Sequence, residues 1–238
     1  MDSVRAGAAL PSLLHDPAVC CAAVVPKWSI DAESLPASGF SGDFWMTSEC
    51  GDALWFAAGD FAGHGLQAAV PMAMLQEEIE CLTHEDPDAL VESIVTEVDR
   101  ALKSFLPSNR FATLVLGRAT NDGEIEIVNA GHCYPVVLRA DGSLEWIPSH
   151  GPVVGISPFA EWRCERISLD QGDRLIIYSD GVVEAEDAAG EELGSERLAE
   201  FLARAPRAEL IETVLREVKR FTGGVRRDDA TLFVLARE

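Results

Sequence analysis

An apolar strand that ends on a carboxylate and turns through glycines into a helix constrains this chain more than any other feature. The stretch is Leu54–Ala69, LWFAAGDFAGHGLQAA. Leu54 to Ala58 is an apolar run long enough for a buried strand. It breaks at Gly59-Asp60, Gly63 and Gly65 flank His64, and a helix-forming segment rich in Ala, Met, Leu and Gln follows from Leu66 to about Cys81. A buried carboxylate has to be paired or has to hold a metal ion. Glycines beside it let the backbone approach a ligand or take positive φ. Taken alone, Asp60 reads equally well as a turn or N-cap residue.

The decisive question is whether other acidic strand ends repeat the arrangement, and three do. Asp43 lies between Gly42 and Phe44 in a strand read over Gly39–Thr47. Asp180 follows Arg174–Ser179 and precedes Gly181. Asp228-Asp229 follow Gly223-Gly224 closely and open the last strand, Ala230–Ala236. Oxygen donors without His or Cys suit hard divalent cations, Mg²⁺ or Mn²⁺. Two such ions about 4 Å apart, sharing a carboxylate, form a template for hydrolysing phosphate esters.

The formal charge of −21, from 19 basic and 40 acidic residues, speaks against a nucleic-acid partner. It suits a carboxylate cluster that holds cations. Cysteines at 20, 21, 50, 81, 133 and 164 form no CxxC pair, so a zinc site is not expected. Most lie in apolar runs and read as free buried thiols. No basic-plus-apolar leader and no 18-residue apolar span is present, so the expectation is a cytoplasmic protein with no membrane partner. With no linker or internal repeat, residues 1–238 read as a single domain.

In chain order, residues 1–17 read as an arm or helix with Leu10, Leu13 and Leu14 able to pack. Val19–Trp28 reads as a strand with Pro26 as bulge or edge residue, and Ser29–Ser38 as a polar loop. The strand carrying Asp43 and the strand Leu54–Gly59 read as a hairpin around Ser48–Asp52. Helices follow at about 66–82 and from about Asp86 to Phe105, the second ended by Pro107-Ser108. A β-rich block then runs through Phe111–Arg118, Glu124–Asn129, Tyr134–Arg139, Leu144–Ile147, Trp162–Leu169 and Arg174–Ser179. Glu184–Glu192 reads as a mobile acidic loop, and helices are expected at about 195–203 and 207–222.

These blocks resemble the metal-dependent protein phosphatases of the PPM or type 2C class, in their bacterial SpoIIE/RsbU-like branch. Ser41–Met46 (SGDFWM) is similar to that branch's GGDFYD, Gly59–Gly65 (GDFAGHG) to GDVSGHG, and Asn129–Pro135 (NAGHCYP) to NAGHPP. Val153–Ile156 resembles the loop with LGI, Tyr178–Ala185 (YSDGVVEA) the YSDGV block, and Asp228–Leu232 (DDATL) the DDATL block. Order and spacing match over roughly residues 10–236. Ser41, Met46, Ala62, Cys133 and Tyr134 depart from the pattern, and none of these departures removes a main metal ligand.

The resemblance implies a four-layer αββα sandwich, two antiparallel sheets face to face with helices outside. It implies that Asp60 bridges two Mn²⁺ or Mg²⁺ ions and that the Phe61 carbonyl binds one of them. Asp180 and Asp228 would complete the other shell, with Asp43 a ligand directly or through water, and Asp229 the ligand instead if the register shifts by one. It implies hydrolysis of phosphoserine or phosphothreonine by a metal-bound hydroxide, with Asp60 and Asp180 essential. The substrate would be a bacterial signalling phosphoprotein such as an anti-sigma-factor antagonist, with control from a regulatory binding partner, a separate subunit or expression level. The alternatives are a phosphatase-like module that binds a partner without turnover and a small-molecule phosphodiesterase.

The remaining residues have two readings each. His64 is either a general acid for the departing alkoxide or a residue that shapes the turn. His132 reads as a turn residue packed between sheets. The tryptophans and Met72/Met74 read as core. Arg226-Arg227 either balance carboxylate charge or lie plainly at the surface.

Overall fold

The computed structural model describes residues 19–25, 27–37, 41–63, 65–106 and 110–238. The expected arm over 1–17, the roles assigned to Pro26 and His64, and the helix stop at Pro107-Ser108 lie outside them.

Two antiparallel sheets form the centre. The first is built from β1 (Val19–Val25), β2 (Trp28–Leu35), β7 (Val136–Leu138), β8 (Leu144–Trp146), β10 (Arg174–Tyr178) and β11 (Ala230–Arg237), in the order β1-β2-β11-β10-β7-β8. The second is β3 (Asp43–Cys50), β4 (Ala53–Phe61), β5 (Ala112–Thr120), β6 (Glu124–Ala130) and β9 (Glu165–Ser168), in the order β3-β4-β5-β6-β9. Helices α1 (Leu66–Glu85) and α2 (Val91–Phe105) cover the second sheet. The single turn α3 (Asp180–Val183) and the helices α4 (Gly194–Arg204) and α5 (Leu210–Phe221) cover the first. This is the αββα sandwich.

Period-two alternation makes the layers, because successive side chains of a strand point to opposite faces. In β4, Leu54, Phe56 and Ala58 face the opposing sheet, while Trp55, Ala57 and Phe61 face the helices. In β11, Phe233 and Leu235 face inward, while Leu232 and Val234 pack under α4 and α5. Phe56 and Phe233 stack across the gap between the sheets, with centroids 6.0 Å apart. Full burial of such a ring contributes about 1.5–3 kcal/mol. The helices bury stripes at helical spacing: Ala68, Met72, Leu75 and Ile79 in α1, and Leu210, Ile211, Val214, Leu215 and Val218 in α5.

The segment expected as a polar loop is instead β2, which pairs with β1 and along its whole length with β11. Trp28, Ile30 and Ala32 alternate with Ser29, Asp31 and Glu33, and only the first set is buried. Counting polar residues hid that alternation. The chain reverses at Lys27, with φ 72°, so Trp28 opens β2 rather than ending β1. Residues 184–192 also form a defined turn, with Glu186 bridged to Glu192 and the Asp187 carboxylate accepting the N–H of Ala189 and Glu191. Trp146, Met74 and Cys81 are exposed rather than buried, on the edge strand β8 and the outer side of α1. No helix among the described residues is long and apolar enough to cross a membrane.

Candidate metal centre

At one end of the sandwich the inward-facing positions change from apolar to polar. Asp43 and Asp60 are direct cross-strand partners, and Asp60 in turn pairs with Thr113 of β5. A direct antiparallel pair projects to the same face, here the space between the sheets. The other sheet brings Ser179, just past β10, and Thr231 of β11. Thr231 Oγ1 and Ser34 Oγ of β2 are hydrogen-bonded at 2.9 Å.

Asp43 is almost fully buried, and its Oδ2 has no hydrogen-bond partner. Burial drives its pKa well above the ordinary carboxylate range; the hydroxyls of Thr231 and Ser179 oppose the shift, and the charges of Asp60 and Asp229 add to it. Asp60 rises to about 7, first through burial and then through repulsion from Asp180, Asp228 and Asp229. Asp180 is raised too, by burial and by Asp228. Asp60 thus lies within electrostatic reach of Asp180, Asp228 and Asp229, and Asp43 within reach of Asp60 and Asp229. Among the described residues, no three His, Cys, Asp or Glu side chains close into a ready-made metal shell.

Two glycines allow this convergence. A Cβ on Gly42 would lie 2.7 Å from Asp60 Oδ1 and 2.9 Å from the Phe61 carbonyl oxygen, so both oxygens crowd the same bare α-carbon. A Cβ on Gly181 would lie 1.9 Å from the Asp229 carbonyl oxygen, so the turn carrying Asp180 packs backbone to backbone against Asp228-Asp229. Ser179 stitches the same junction: its hydroxyl donates to the Asp229 carbonyl and accepts the Thr231 N–H at 2.9 Å.

Asp229 is occupied elsewhere. Its Oδ1 accepts the Ala37 N–H at 2.7 Å and its Oδ2 the Gly42 N–H at 3.1 Å. It fastens the segment leading into β3, while Asp228 caps the Asp229 N–H at 2.8 Å. Arg226 donates to the Pro36 carbonyl, and Arg227 pairs with Glu186. Both arginines therefore tie loops at the rim.

His132 is buried between the sheets as a turn residue, with Nδ1 2.8 Å from Thr113 Oγ1 and its N–H donated to Asn129 Oδ1. Sequence reasoning passed over Thr113, Ser179 and Thr231, because a lone hydroxyl residue at a strand end carries no distinctive spacing. It also passed over Arg110, which donates to the Ala62 carbonyl and to Gln67 Oε1 and so braces the turn after Asp60.

The donor set fits hard divalent cations: carboxylates and a carbonyl, one buried carboxylate oxygen without a partner, and ionisation made costly by burial. The model of the family described as Stage II sporulation protein E (SpoIIE) matches residues 51–238. The chain belongs to the SpoIIE family. Its fold is that of the PPM phosphatase domains. Among curated relatives, this SpoIIE-family chain is 26% identical to Protein IcfG of Synechocystis sp. (strain ATCC 27184 / PCC 6803 / Kazusa), over 89% of its own length and 38% of that protein. It is 24% identical to the phosphoserine phosphatase RsbU of Bacillus subtilis (strain 168), over 88% of its length and 63% of RsbU. It thus spans less than two thirds of either relative. The crystal structure of the RsbU and RsbW domains of Rv1364c from Mycobacterium tuberculosis superposes with a TM-score of 0.78 at 28% identity, covering 93% of this chain and 62% of that one.

Proposed function

We propose that the chain is a metal-dependent protein serine/threonine phosphatase whose substrate is a signalling phosphoprotein, an anti-sigma-factor antagonist by resemblance to its branch. What supports this reading is membership of a family with phosphatase relatives, together with the cross-strand pairing of Asp43 with Asp60 and the close packing of the Asp180-Gly181 turn on Asp228-Asp229. Asp60, the Phe61 carbonyl, Asp180 and Asp228 would hold two Mn²⁺ or Mg²⁺ ions, with Asp43 as a further oxygen donor. Such ions neutralise phosphate charge and lower the pKa of water, so that a nucleophile is available at neutral pH.

The chain's own residues do the positioning. The sheets hold the carboxylates rigidly at strand ends. Gly42 and Gly181 let the acid-bearing turns approach, and Asp229 keeps the loop before Asp43 in place. Raised pKa values mean that the carboxylates resist ionisation by themselves and would be stabilised as anions by a nearby dication.

The competing reading, a module that grips a partner without turnover, draws on the absence of a closed ligand shell among the described residues. Hydrolysis of p-nitrophenyl phosphate under Mn²⁺ titration, in wild type and in Asp60→Asn and Asp180→Asn, separates the two. Metal-dependent turnover lost in both variants supports the phosphatase. Equal inertness of all three proteins, with a partner still bound, supports the module.

A further inference from the structure

The turn that follows Asp60 is held at two successive peptide planes by residues 110 and 111. The Ala62 N–H donates to the Phe111 carbonyl at 3.0 Å. In a trans peptide the N–H and the carbonyl point in opposite directions, so this bond turns the Phe61 carbonyl away from residue 111. It turns it toward the carboxylate rim: a Cβ on Gly42 would meet the Phe61 carbonyl oxygen at 2.9 Å and Asp60 Oδ1 at 2.7 Å. The next plane is held by a side chain. Arg110 Nη1 donates to the Ala62 carbonyl at 2.8 Å, and Nη2 donates to Gln67 Oε1, in the first turn of α1, at 2.9 Å. One guanidinium thus spans the turn between the end of β4 and the start of α1.

The local sequence leaves this turn soft without a clamp. Gly63 and Gly65 take positive φ, 126° and 63°, and the freedom that lets the chain turn here also lets it relax. Gly63 makes room for the arginine as well, since a Cβ there would lie 2.6 Å from Arg110 Nη1. The clamp is itself fixed from behind. Ala112 and Val154 exchange N–H···O bonds of 3.0 Å in both directions, and a Cβ on Gly155 would lie 3.0 Å from the Arg110 carbonyl oxygen. The Gly155 N–H is in turn accepted by Oδ1 of the buried Asp99, on α2, at 2.8 Å. Residues 110–112 are therefore held by the turn on one side and by this loop on the other, and they present the guanidinium at a set point. Arg110 is half-buried and Gln67 exposed, so the pair spans the turn without filling the core.

We infer that Arg110 is a positioning residue for the metal centre: by holding the Ala62 carbonyl it keeps the neighbouring Phe61 carbonyl turned toward the cations. The inference rests on the proposed function for the use of Phe61 as a metal donor. Arginine suits the task because its planar fork makes both bonds at once, which a lysine ammonium on a flexible stem does not.

The test titrates Mn²⁺ into metal-free wild type, Arg110→Ala and Arg110→Lys by calorimetry, and follows p-nitrophenyl phosphate hydrolysis across the same metal range. Arg110→Ala should bind Mn²⁺ about tenfold more weakly and need about tenfold more Mn²⁺ for half-maximal turnover, with kcat at saturating Mn²⁺ within about twofold of wild type. Its melting temperature in EDTA should stay near that of wild type, and Arg110→Lys should fall between the two in Mn²⁺ affinity. Guanidinium chloride at about 50 mM, too dilute to unfold a domain, should restore Mn²⁺ affinity to Arg110→Ala relative to equal KCl and leave wild type unchanged. Unchanged Mn²⁺ affinity in Arg110→Ala overturns the inference, and so does a weakened affinity that guanidinium does not restore. A wild type that binds Mn²⁺ but hydrolyses no p-nitrophenyl phosphate, beside a guanidinium-rescued loss of affinity in Arg110→Ala, overturns the phosphatase reading and leaves Arg110 in its role.

Discussion

Asp43 and Asp60 stand directly opposite one another at the open end of the β3–β4 hairpin, on the face that looks between the sheets. Two carboxylates facing each other across a ladder repel, and burial intensifies the repulsion. The arrangement costs stability, and the proposed function accounts for it as a site for cations. Asp60→Asn should therefore abolish metal-dependent hydrolysis of p-nitrophenyl phosphate, by at least about a hundredfold in kcat/KM, without lowering the melting temperature of the metal-free protein. Thermal melts in EDTA beside rate measurements in Mn²⁺ check both halves. An Asp60→Asn protein that melts well below wild type would show Asp60 to be a structural residue instead.

Metal should act on stability as well as on rate. A ligand that binds only the native state stabilises it by RT ln(1 + [L]/Kd), about 2.7 kcal/mol at a hundredfold excess over Kd. Mn²⁺ or Mg²⁺ should raise the melting temperature of wild type, and the shift should shrink sharply in Asp180→Asn. Calorimetric scans across a metal titration measure it. Equal shifts in wild type and variant would remove Asp180 from the site.

How far the sequence disclosed this follows from what each feature depends on. The β3–β4 hairpin, the two helices after it and the closing strand were legible because apolar periodicity is a local signal. β2 was not, because its solvent-facing Ser, Asp and Glu outnumber what a polar-content reading tolerates, and its pairing with β11 lies some two hundred residues away in the chain. The acids of the proposed site stand out in the sequence as carboxylates at strand ends beside or shortly after glycine. Asp229's role was not: its partners, the N–H groups of Ala37 and Gly42, come from the other end of the chain, and no spacing encodes them. Thr113 and Ser179 were hidden for the same reason, being neighbours in space only.

That division between Asp228 and Asp229 is itself testable. Charge-assisted hydrogen bonds contribute about 1.5–3 kcal/mol each when a partner is truncated, though partial exposure reduces this. Asp229→Ala should lower stability by about 1–3 kcal/mol in EDTA. Asp228→Asn should leave the metal-free stability near wild type and weaken metal binding instead. Denaturant melts and isothermal titration with Mn²⁺ distinguish the pair. The reverse outcome would show that the register of the two acids is shifted by one.

Gly181 offers a steric check on the same junction. A methyl group there would meet the Asp229 carbonyl oxygen at 1.9 Å, and that oxygen belongs to backbone that cannot swing aside. Gly181→Ala should destabilise by several kcal/mol, at the severe end for a single substitution, and should separate Asp180 from Asp228. A Gly181→Ala protein with wild-type melting temperature and activity would mean that the two turns do not pack as described.

His132 ties stability to pH. It is buried, and burial lowers its pKa from the usual 6.5 to about 4, opposed only by a hydrogen bond to the Tyr178 backbone. Between pH 6.5 and 4 the unfolded chain takes up a proton there that the native state refuses, so this residue's contribution is present above pH 6.5 and is lost as pH falls toward 4. The size follows from the shift, on the order of 3 kcal/mol. The raised carboxylates Asp43, Asp60 and Asp180 have the opposite slope, since their native forms hold protons that the unfolded chain releases, and they favour the folded state as pH drops. The imidazole is therefore isolated by difference. His132→Asn should be less stable than wild type at pH 8, because its bond to Thr113 is altered, and should close part of that gap by pH 4.5. Urea melts of both proteins in EDTA across this range measure the difference. A gap that stays constant with pH would show that His132 is protonated as readily inside the fold as outside it.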